Sequence, residues 1–360
     1  LFFMDDLKYF LVGGAVRDQI LKRENSDRDY VVVGANEEQM LERGFKKIGK
    51  SFPVFLHPDT GEEYALARTE KKQGLGHSGF EISASADITL LQDLSRRDLT
   101  INAIALSSDG EFYDPHNGLE DLSKKVLRHV SEAFVEDPLR FFRVARFASQ
   151  LPGFSIAKET SFLMRQMCRL ESLDELSGER IWQEFLKALQ APEPYRWFET
   201  LSDLQAHDPW FGVFSGKTFQ ILPGSAIERF ALLPLSEDEI RTFSGMLKIP
   251  KEFSQAALDR ARHLEYFTSN SPNEANLAVY YDHLVALRAL HNPFRLFFLL
   301  DLIQDLPLRD EWRSKSSHTL KVINEHKENI EKETSSLLGP DKGEGIKHAR
   351  LKVLQDQFER

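Results

Sequence analysis

Tyr9-Phe10-Leu11-Val12-Gly13-Gly14-Ala15-Val16-Arg17-Asp18 is an apolar run of strand length, broken by a glycine pair and followed by a helix start. Downstream comes Asp27-Arg28-Asp29-Tyr30-Val31-Val32-Val33, a second strand ended by Gly34. Alternate side chains of a strand share a face, so Asp27 and Asp29 point to one side and Arg28 to the other. Residues 36–43 read as a helix. Phe52–Leu56 and Glu63–Ala67 read as strands joined by the Pro58-Asp59-Thr60-Gly61 turn. Residues 71–85 are rich in Gly, Ser and Lys and read as a mobile loop. Asp98–Leu106 reads as a helix and Gly110–Tyr113 as a short edge strand. This mixed order predicts a small α/β head that ends near residue 130.

From Pro138 onward the pattern turns helical. Leu139, Phe142 and Ala145 recur at spacing three, as do Trp182, Phe185 and Leu189 at helical spacing. Breaks fall at Pro192-Glu193-Pro194, Pro223-Gly224 and Ser271-Pro272. The predicted class is α+β: a mixed head (1–130), then an all-helical neck (131–200), body (201–310) and tail (311–360). The tail carries 10 Lys+Arg against 9 Asp+Glu, so it is a solvated helical face rather than a polycation arm. The 360 residues exceed one ordinary core, and the 41% hydrophobic content with 27 Phe excludes overall disorder. No apolar run reaches the roughly 18–20 residues of a membrane span. Leu1–Phe3 is too short for a signal peptide, and Met4 is a candidate natural start. Cys168 is the lone cysteine, which excludes disulfides and Cys-rich zinc sites and fits a reducing cytoplasm. The net charge of -10 argues mildly against a nucleic-acid partner, but arginines cluster at Arg96-Arg97 and at Arg140, Arg143 and Arg146.

Several of these stretches have a chemistry. Two carboxylates at Asp27 and Asp29 suit Mg²⁺, which takes oxygen donors together with substrate phosphates. A pair of such ions can activate a ribose hydroxyl and neutralise a pyrophosphate leaving group. Gly13-Gly14 lets backbone N–H groups approach phosphate, and Arg17 can reach the same phosphates in a forked contact. Taken singly, each has a plainer reading. Asp-x-Asp is a common solvated turn, Gly-Gly a tight turn, and Arg17-Asp18 a surface pair.

Together, Gly13–Asp18 and Asp27–Val33 resemble the head of the class II tRNA nucleotidyltransferases. That family includes CCA-adding enzymes and bacterial poly(A) polymerases, within the polymerase-β-like superfamily. Further motifs follow in order: Arg96-Arg97-Asp98-Leu99-Thr100-Ile101-Asn102-Ala103, Asp114-Pro115-His116-Asn117-Gly118, Glu136-Asp137-Pro138-Leu139-Arg140 through Phe147, and Gly178-Glu179-Arg180-Ile181-Trp182-Gln183-Glu184. The likeness is strongest to the gamma-proteobacterial CCA-adding type, through Phe52–Leu56 and Glu63–Glu70. It implies addition of CCA to the 3′ end of tRNA from CTP and ATP, without a nucleic-acid template and with two Mg²⁺ ions. By it, Asp27 and Asp29 are catalytic and metal-binding. Gly13, Gly14, Arg17, Arg97, Asp98, Asn102, Asp137, Arg140, Arg143 and Arg146 bind the nucleotide. Glu136 braces the Asp137–Arg140 pair, Glu179 and Arg180 support the neck helices first, and Glu63 is the best candidate for a third acidic residue. Gly74, Gly76 and Gly79 lie in the loop that the family needs for the final A.

Asp137 and Arg140 also carry an argument of their own. Cytosine and adenine both present an amino donor beside an unprotonated ring nitrogen, whereas uracil and guanine present the reverse. Asp only accepts and Arg only donates. Placed at i and i+3 on one helix face, the pair can match C or A and leave U or G with buried, unpaired groups. Its plainer reading is an intrahelical salt bridge. Arg143 and Arg146 point different ways on an ideal helix, so both reach one nucleotide only in a cleft that wraps it.

Past about residue 200 the resemblance weakens. His207-Asp208 is a bare dipeptide before Pro209-Trp210, so the metal phosphohydrolase domain of some relatives is not expected, and His283 and His291 read as helix-surface or packed residues. Gly345–Lys352 resembles the family's closing helix, implying a tail that grips the acceptor and TΨC arms of tRNA. No membrane and no obligate protein partner are expected. The rivals are a poly(A) polymerase or A-adding enzyme on the same scaffold, and an RNA-binding protein that has lost catalysis.

Overall fold

The structure is a computed structural model that describes residues 7–24, 28–48, 54–72, 80–170 and 172–358. Asp27, Phe52, Pro53, Gly74, Gly76 and Gly79 therefore lie outside the described residues, as does Met4. The chain divides into two compact units, Leu1–Ser215 and Gly216–Arg360. The stretches expected as head and neck fall together in the first unit, along with residues 201–215.

The first unit opens with β1 (Lys8–Val12), α1 (Gly14–Ile20), β2 (Asp29–Val33), α2 (Glu37–Glu42), β3 (Lys46–Ile48), β4 (Val54–Leu56) and β5 (Glu63–Leu66). It continues with β6 (Arg68–Lys72), β7 (Phe80–Ala84), α3 (Leu90–Ser95), β8 (Ala105–Ser107), β9 (Phe112–Tyr113), α4 (Gly118–Lys124) and β10 (Val126–Leu127). The main sheet runs β3-β4-β5-β2-β1-β8-β9. Its alternating side chains divide between two cores. Phe10, Val12 and Val31 pack with Leu94 and Ala105 on one face, while Val32, Tyr64 and Leu66 pack with Met40 and Phe55 on the other. The strand β2 runs antiparallel to β1 and parallel to β5, in a register that places Asp29 directly beside Glu63. Gly13, between β1 and α1, has φ +73°, and a Cβ there would sit 3.0 Å from Nη1 of Arg97. Glycine is thus favoured by the positive φ, and a side chain there would also push the Arg97 guanidinium aside.

Two expected elements change form. The helix read over 98–106 is instead a short 3₁₀ turn, Thr100–Asn102, followed by the strand β8. The reason is pairing: Ala105, Leu106 and Ser107 lie against Val12, Leu11 and Phe10. Leu99 also bridges His129, which holds its backbone extended. The loop read over 71–85 is in part a hairpin, with β6 and β7 pairing antiparallel from Arg68↔Ala84 to Lys72↔Phe80.

The remainder of the unit is almost entirely helical: α5 (Leu139–Gln150), a two-residue strand β11 (Ser155–Ile156) paired with β10, α6 (Lys158–Arg169), α7 (Gly178–Gln190) and α8 (Tyr195–Leu204). An aromatic cluster locks α5, α7 and α8 together. Trp197 stacks on Phe142 at 5.6 Å between ring centroids, and Phe185 lies 5.3 Å from Trp197. All three rings are fully buried, so the α5 face opposite them is held facing the head.

The second unit is helical: α9 (Ala226–Ala231), α10 (Glu237–Leu247), α11 (Lys251–Ser269), α12 (Leu277–Ala286), α13 (Phe294–Asp301), α14 (Leu306–Glu325), α15 (Lys327–Glu333) and α16 (Gly339–Phe358). Its core gathers Phe267, Tyr280, Leu296, Leu300 and Trp312. Ser225 and Ser236 start α9 and α10 through capping boxes with Glu228 and Glu239. Asp259 is buried and held by Arg295 at 2.6 Å. No helix among the described residues is long and apolar enough to cross a membrane.

Candidate active site

A cavity of about 590 Å³ lies between the head sheet and α5. It is lined by Gly13, Gly14, Arg17, Asp29, Glu63, Arg97, Asp98, Asn102, Asp137, Arg140, Arg143 and Arg146, along with Arg68, Arg96, Phe147 and Arg180. Every described residue of the expected site thus meets in one place. Asp29 and Glu63 project from adjacent strands, and both are exposed. Their oxygens suit a hard divalent cation. Among the described residues no group of three or more His, Cys, Asp or Glu is placed to hold a metal.

Arg96, Arg97, Arg143 and Arg146 are each held by a carboxylate. Asp98 accepts from Arg143 at 2.7 Å and from Nδ2 of Asn102 at 3.1 Å. Burial works against the charge of Asp98, yet Arg143, Asn102 and the Leu99 N–H together hold its carboxyl well below the usual range. The same contact, led by Asp98, raises Arg143 above its ordinary value. Asp93, on α3, is fully buried and pairs with Arg96 at 2.9 Å and Arg97 at 3.2 Å. Burial lowers Arg97, and Asp93 opposes that shift. Glu184, on α7, accepts from Nε of Arg146 at 2.5 Å and lies 4.0 Å from Arg143. Arg143 and Arg146 thus both line one cavity, which is the wrapped cleft their spacing demanded. Arg17 is differently used. Its Nε and Nη2 fork onto Asp18 at 2.9 Å each, and its Nη1 donates to Asn102 at 2.8 Å. The fork expected for phosphate is taken by its neighbour.

Asp137 and Arg140 do not share a helix face. Asp137 has φ -111° and ψ 103°, and α5 begins only at Leu139. Pro138 disfavours helical backbone in the residue before it, which places Asp137 ahead of the first turn. No salt bridge joins the two. Oδ1 of Asp137 accepts from the Leu139 N–H at 3.1 Å and lies 3.6 Å from Arg180. Arg140 donates to the carbonyls of Ala133 at 2.8 Å and Arg96 at 2.7 Å. Both side chains still line the cavity, and each is fixed before any ligand arrives.

Three residues of this site, Asp93, Phe147 and Glu184, were given no role by the sequence reading. Asp93 had a usable signal, since it stands three and four residues before Arg96 and Arg97 on a helix. Glu184 and Phe147 close two of the quoted motifs, but their part in the site could not be read because their partners come together only through folding. Arg180, read as structural first, also lines the cavity.

The chain is also similar to proteins of known family. Residues 9–128 match the poly A polymerase head domain, and residues 153–215 match the probable RNA and SrmB-binding site of polymerase A. The CCA-adding enzyme of Coxiella burnetii (strain RSA 493 / Nine Mile phase I) is 44% identical over 308 residues, which are 82% of this chain and 82% of that protein. The chain belongs to the CCA-adding enzyme family. The multifunctional CCA protein of Dechloromonas aromatica (strain RCB) is 56% identical over 200 residues, and there the match spans only 48% of the relative's length. Among solved structures, the Bacillus stearothermophilus CCA-adding enzyme in complex with CTP superimposes with a TM-score of 0.66 at 24% identity, over 98% of this chain and 90% of that one. The CCA-adding enzyme fold is therefore common to both.

Proposed function

We propose that this chain adds C, C and A in turn to the 3′ end of tRNA, taking the nucleotides from CTP and ATP without a nucleic-acid template. The observation that carries this reading is the single cavity in which the Asp29–Glu63 edge faces the arginines of α5 and the Asp137–Arg140 pair. The reaction joins the tRNA 3′ oxygen to the α-phosphorus of the incoming nucleotide and releases pyrophosphate. Asp29, with Asp27 and Glu63, would hold Mg²⁺, which supplies charge neutralisation and a more acidic 3′-hydroxyl. Arg97, Arg143 and Arg146 would bind the triphosphate and sugar, their positive charge kept in place by Asp93, Asp98 and Glu184. Asp137 would accept the amino group of C or A while Arg140 donates to the ring nitrogen. The second unit would grip the tRNA phosphates.

The test is a transcript that lacks its 3′ end, incubated with Mg²⁺ and each nucleotide and read on a gel. CTP alone should lengthen it by two residues, and CTP with ATP by three. UTP and GTP should give nothing. A long ladder from ATP alone would instead mark a poly(A) polymerase, and binding without extension a non-catalytic RNA-binding protein.

A further inference from the structure

Phe147 sits at the centre of a cationic cluster that its neighbours' carboxylates do not fully explain. Its ring centroid is 3.9 Å from the guanidinium carbon of Arg146, 5.3 Å from that of Arg17 and 5.7 Å from that of Arg143. Arg143 is four residues before it on α5, so the two share a helix face, while Arg17 arrives from α1 in the head. All four residues line the cavity, and Phe147 is only 3% exposed.

Three guanidinium groups around one ring repel one another. Asp18, Asp98 and Glu184 neutralise one each from the side. The ring adds what a carboxylate cannot: a face of partial negative charge that stacks a planar cation and sets its plane. For Arg146 the constraints combine. Glu184 holds Nε and Gln150 holds Nη1 at 2.6 Å. With the guanidinium carbon 3.9 Å from the ring centroid, only Nη2 is left without a hydrogen bond among the described residues. A leucine would fill much of the same space but could not gather the cations.

We propose that Phe147 is a positioning residue of the nucleotide pocket, whose ring gathers Arg17, Arg143 and Arg146 and so fixes the pose of the incoming triphosphate. This rests on reading the cavity as the CTP and ATP site. Its action on substrate runs through the arginines, so it should govern nucleotide binding and leave the chemical step and tRNA binding alone.

The experiment replaces Phe147 with mono-, di- and trifluorinated phenylalanine in the full chain, and adds Phe147→Leu. Fluorine drains the ring face with little change in size, so packing is nearly constant across the series while the cation attraction falls. KM and kcat for CTP and ATP, KM for the transcript and the melting temperature are measured for each. KM for both nucleotides should rise stepwise with fluorine number, by about 2- to 30-fold over the series, the equivalent of about 0.5–2 kcal/mol. The kcat and transcript KM should stay within about twofold, a margin of roughly 0.4 kcal/mol. A flat nucleotide KM across the fluorinated series, or a loss confined to kcat, overturns the proposal even if Phe147→Leu melts early. An unmodified chain that adds neither C nor A removes the functional reading itself. Normal addition with a flat series removes only the role of Phe147.

Discussion

The carboxylate of Asp98, just past the end of α3, holds Arg143 of α5 at 2.7 Å, so a single ion pair joins the sheet-bearing head to the first helix of the neck. Asp98 is buried, and its other oxygen caps the Leu99 N–H and accepts from Asn102. Two motifs far apart in the chain thereby become one wall of the cavity.

Asp98→Asn should loosen that wall. A hydrogen bond to a charged group is worth about 1.5–3 kcal/mol, so KM for CTP and ATP should rise roughly 10- to 150-fold. The variant should also change how stability depends on pH. The folded-state carboxyl lies below its unfolded value, so its contribution is fully present above the unfolded pKa of about 4 and is lost as pH falls through the folded value. The stability gap between native and variant chains should therefore be full at neutral pH and shrink in acid. Denaturant titrations at neutral pH and near pH 3 measure it, and a constant gap would show that Asp98 is not ionised in the folded protein.

Asp29→Ala should lower incorporation of both C and A on the order of 10³-fold or more, while transcript binding survives. Asp27→Ala should do the same. Glu63→Gln separates two roles for the residue beside Asp29. If Glu63 orients the site from outside the metal shell, the drop is about 10- to 100-fold. A loss as deep as that of Asp29→Ala would make Glu63 a ligand. Single-turnover rates with a filter-binding assay of the transcript distinguish these outcomes.

Much of this was legible before the structure. The unbroken apolar runs Tyr9–Val12 and Tyr30–Val33 marked the central strands, and the Gly13 and Asp29 positions followed from local rules. What escaped was long-range. Ala105–Ser107 has helix-compatible residues but is captured by the free edge of β1, a competition that no local pattern records. The placement of Asp137 was misjudged for a local reason, the restriction that Pro138 places on it. Glu184 stands 38 residues from Arg146 in the chain, and its role exists only once the aromatic cluster has set α7 against α5.

The second unit carries its own pH signature. Nδ1 of His263 faces Nδ1 of His283 at 2.9 Å, and Tyr266 stacks on His283 at 4.1 Å. One shared proton satisfies this contact, so the pair is stable only when at least one ring is neutral. Burial depresses both imidazoles, His283 lowers His263 further, and Asp259 and Asp282 pull the other way without reversing it. A depressed imidazole stabilises the fold fully above its unfolded pKa of about 6.5, and that stability is lost as pH falls from there through the lower folded value. The melting temperature of the second unit should drop between about pH 7.5 and about pH 5.5, the range over which histidine titrates. His263→Gln should at least halve that drop. An identical drop in the variant would place the acid sensitivity elsewhere.

Base choice is expected to run through Asp137. Its Oδ1 is engaged by Leu139 and Arg180, which leaves Oδ2 as the acceptor available for an incoming amino group among the described residues. Arg140 is anchored on two backbone carbonyls and does not depend on Asp137 for its position. Asp137→Ala should therefore remove the acceptor without displacing the donor. Discrimination of C and A against U and G should fall roughly 10- to 150-fold, as expected for about 1.5–3 kcal/mol. Arg180→Ala should act in the same direction but less, because it frees the Asp137 carboxylate to rotate while the Leu139 N–H still holds it. The double variant should be no worse than Asp137→Ala alone, since Arg180 acts on selection through Asp137. Steady-state kinetics with all four nucleotides on a transcript ending at the discriminator base give each ratio. If Arg180→Ala and Asp137→Ala add in full, Arg180 reads the nucleotide on its own, and the indirect role argued from their 3.6 Å contact is wrong.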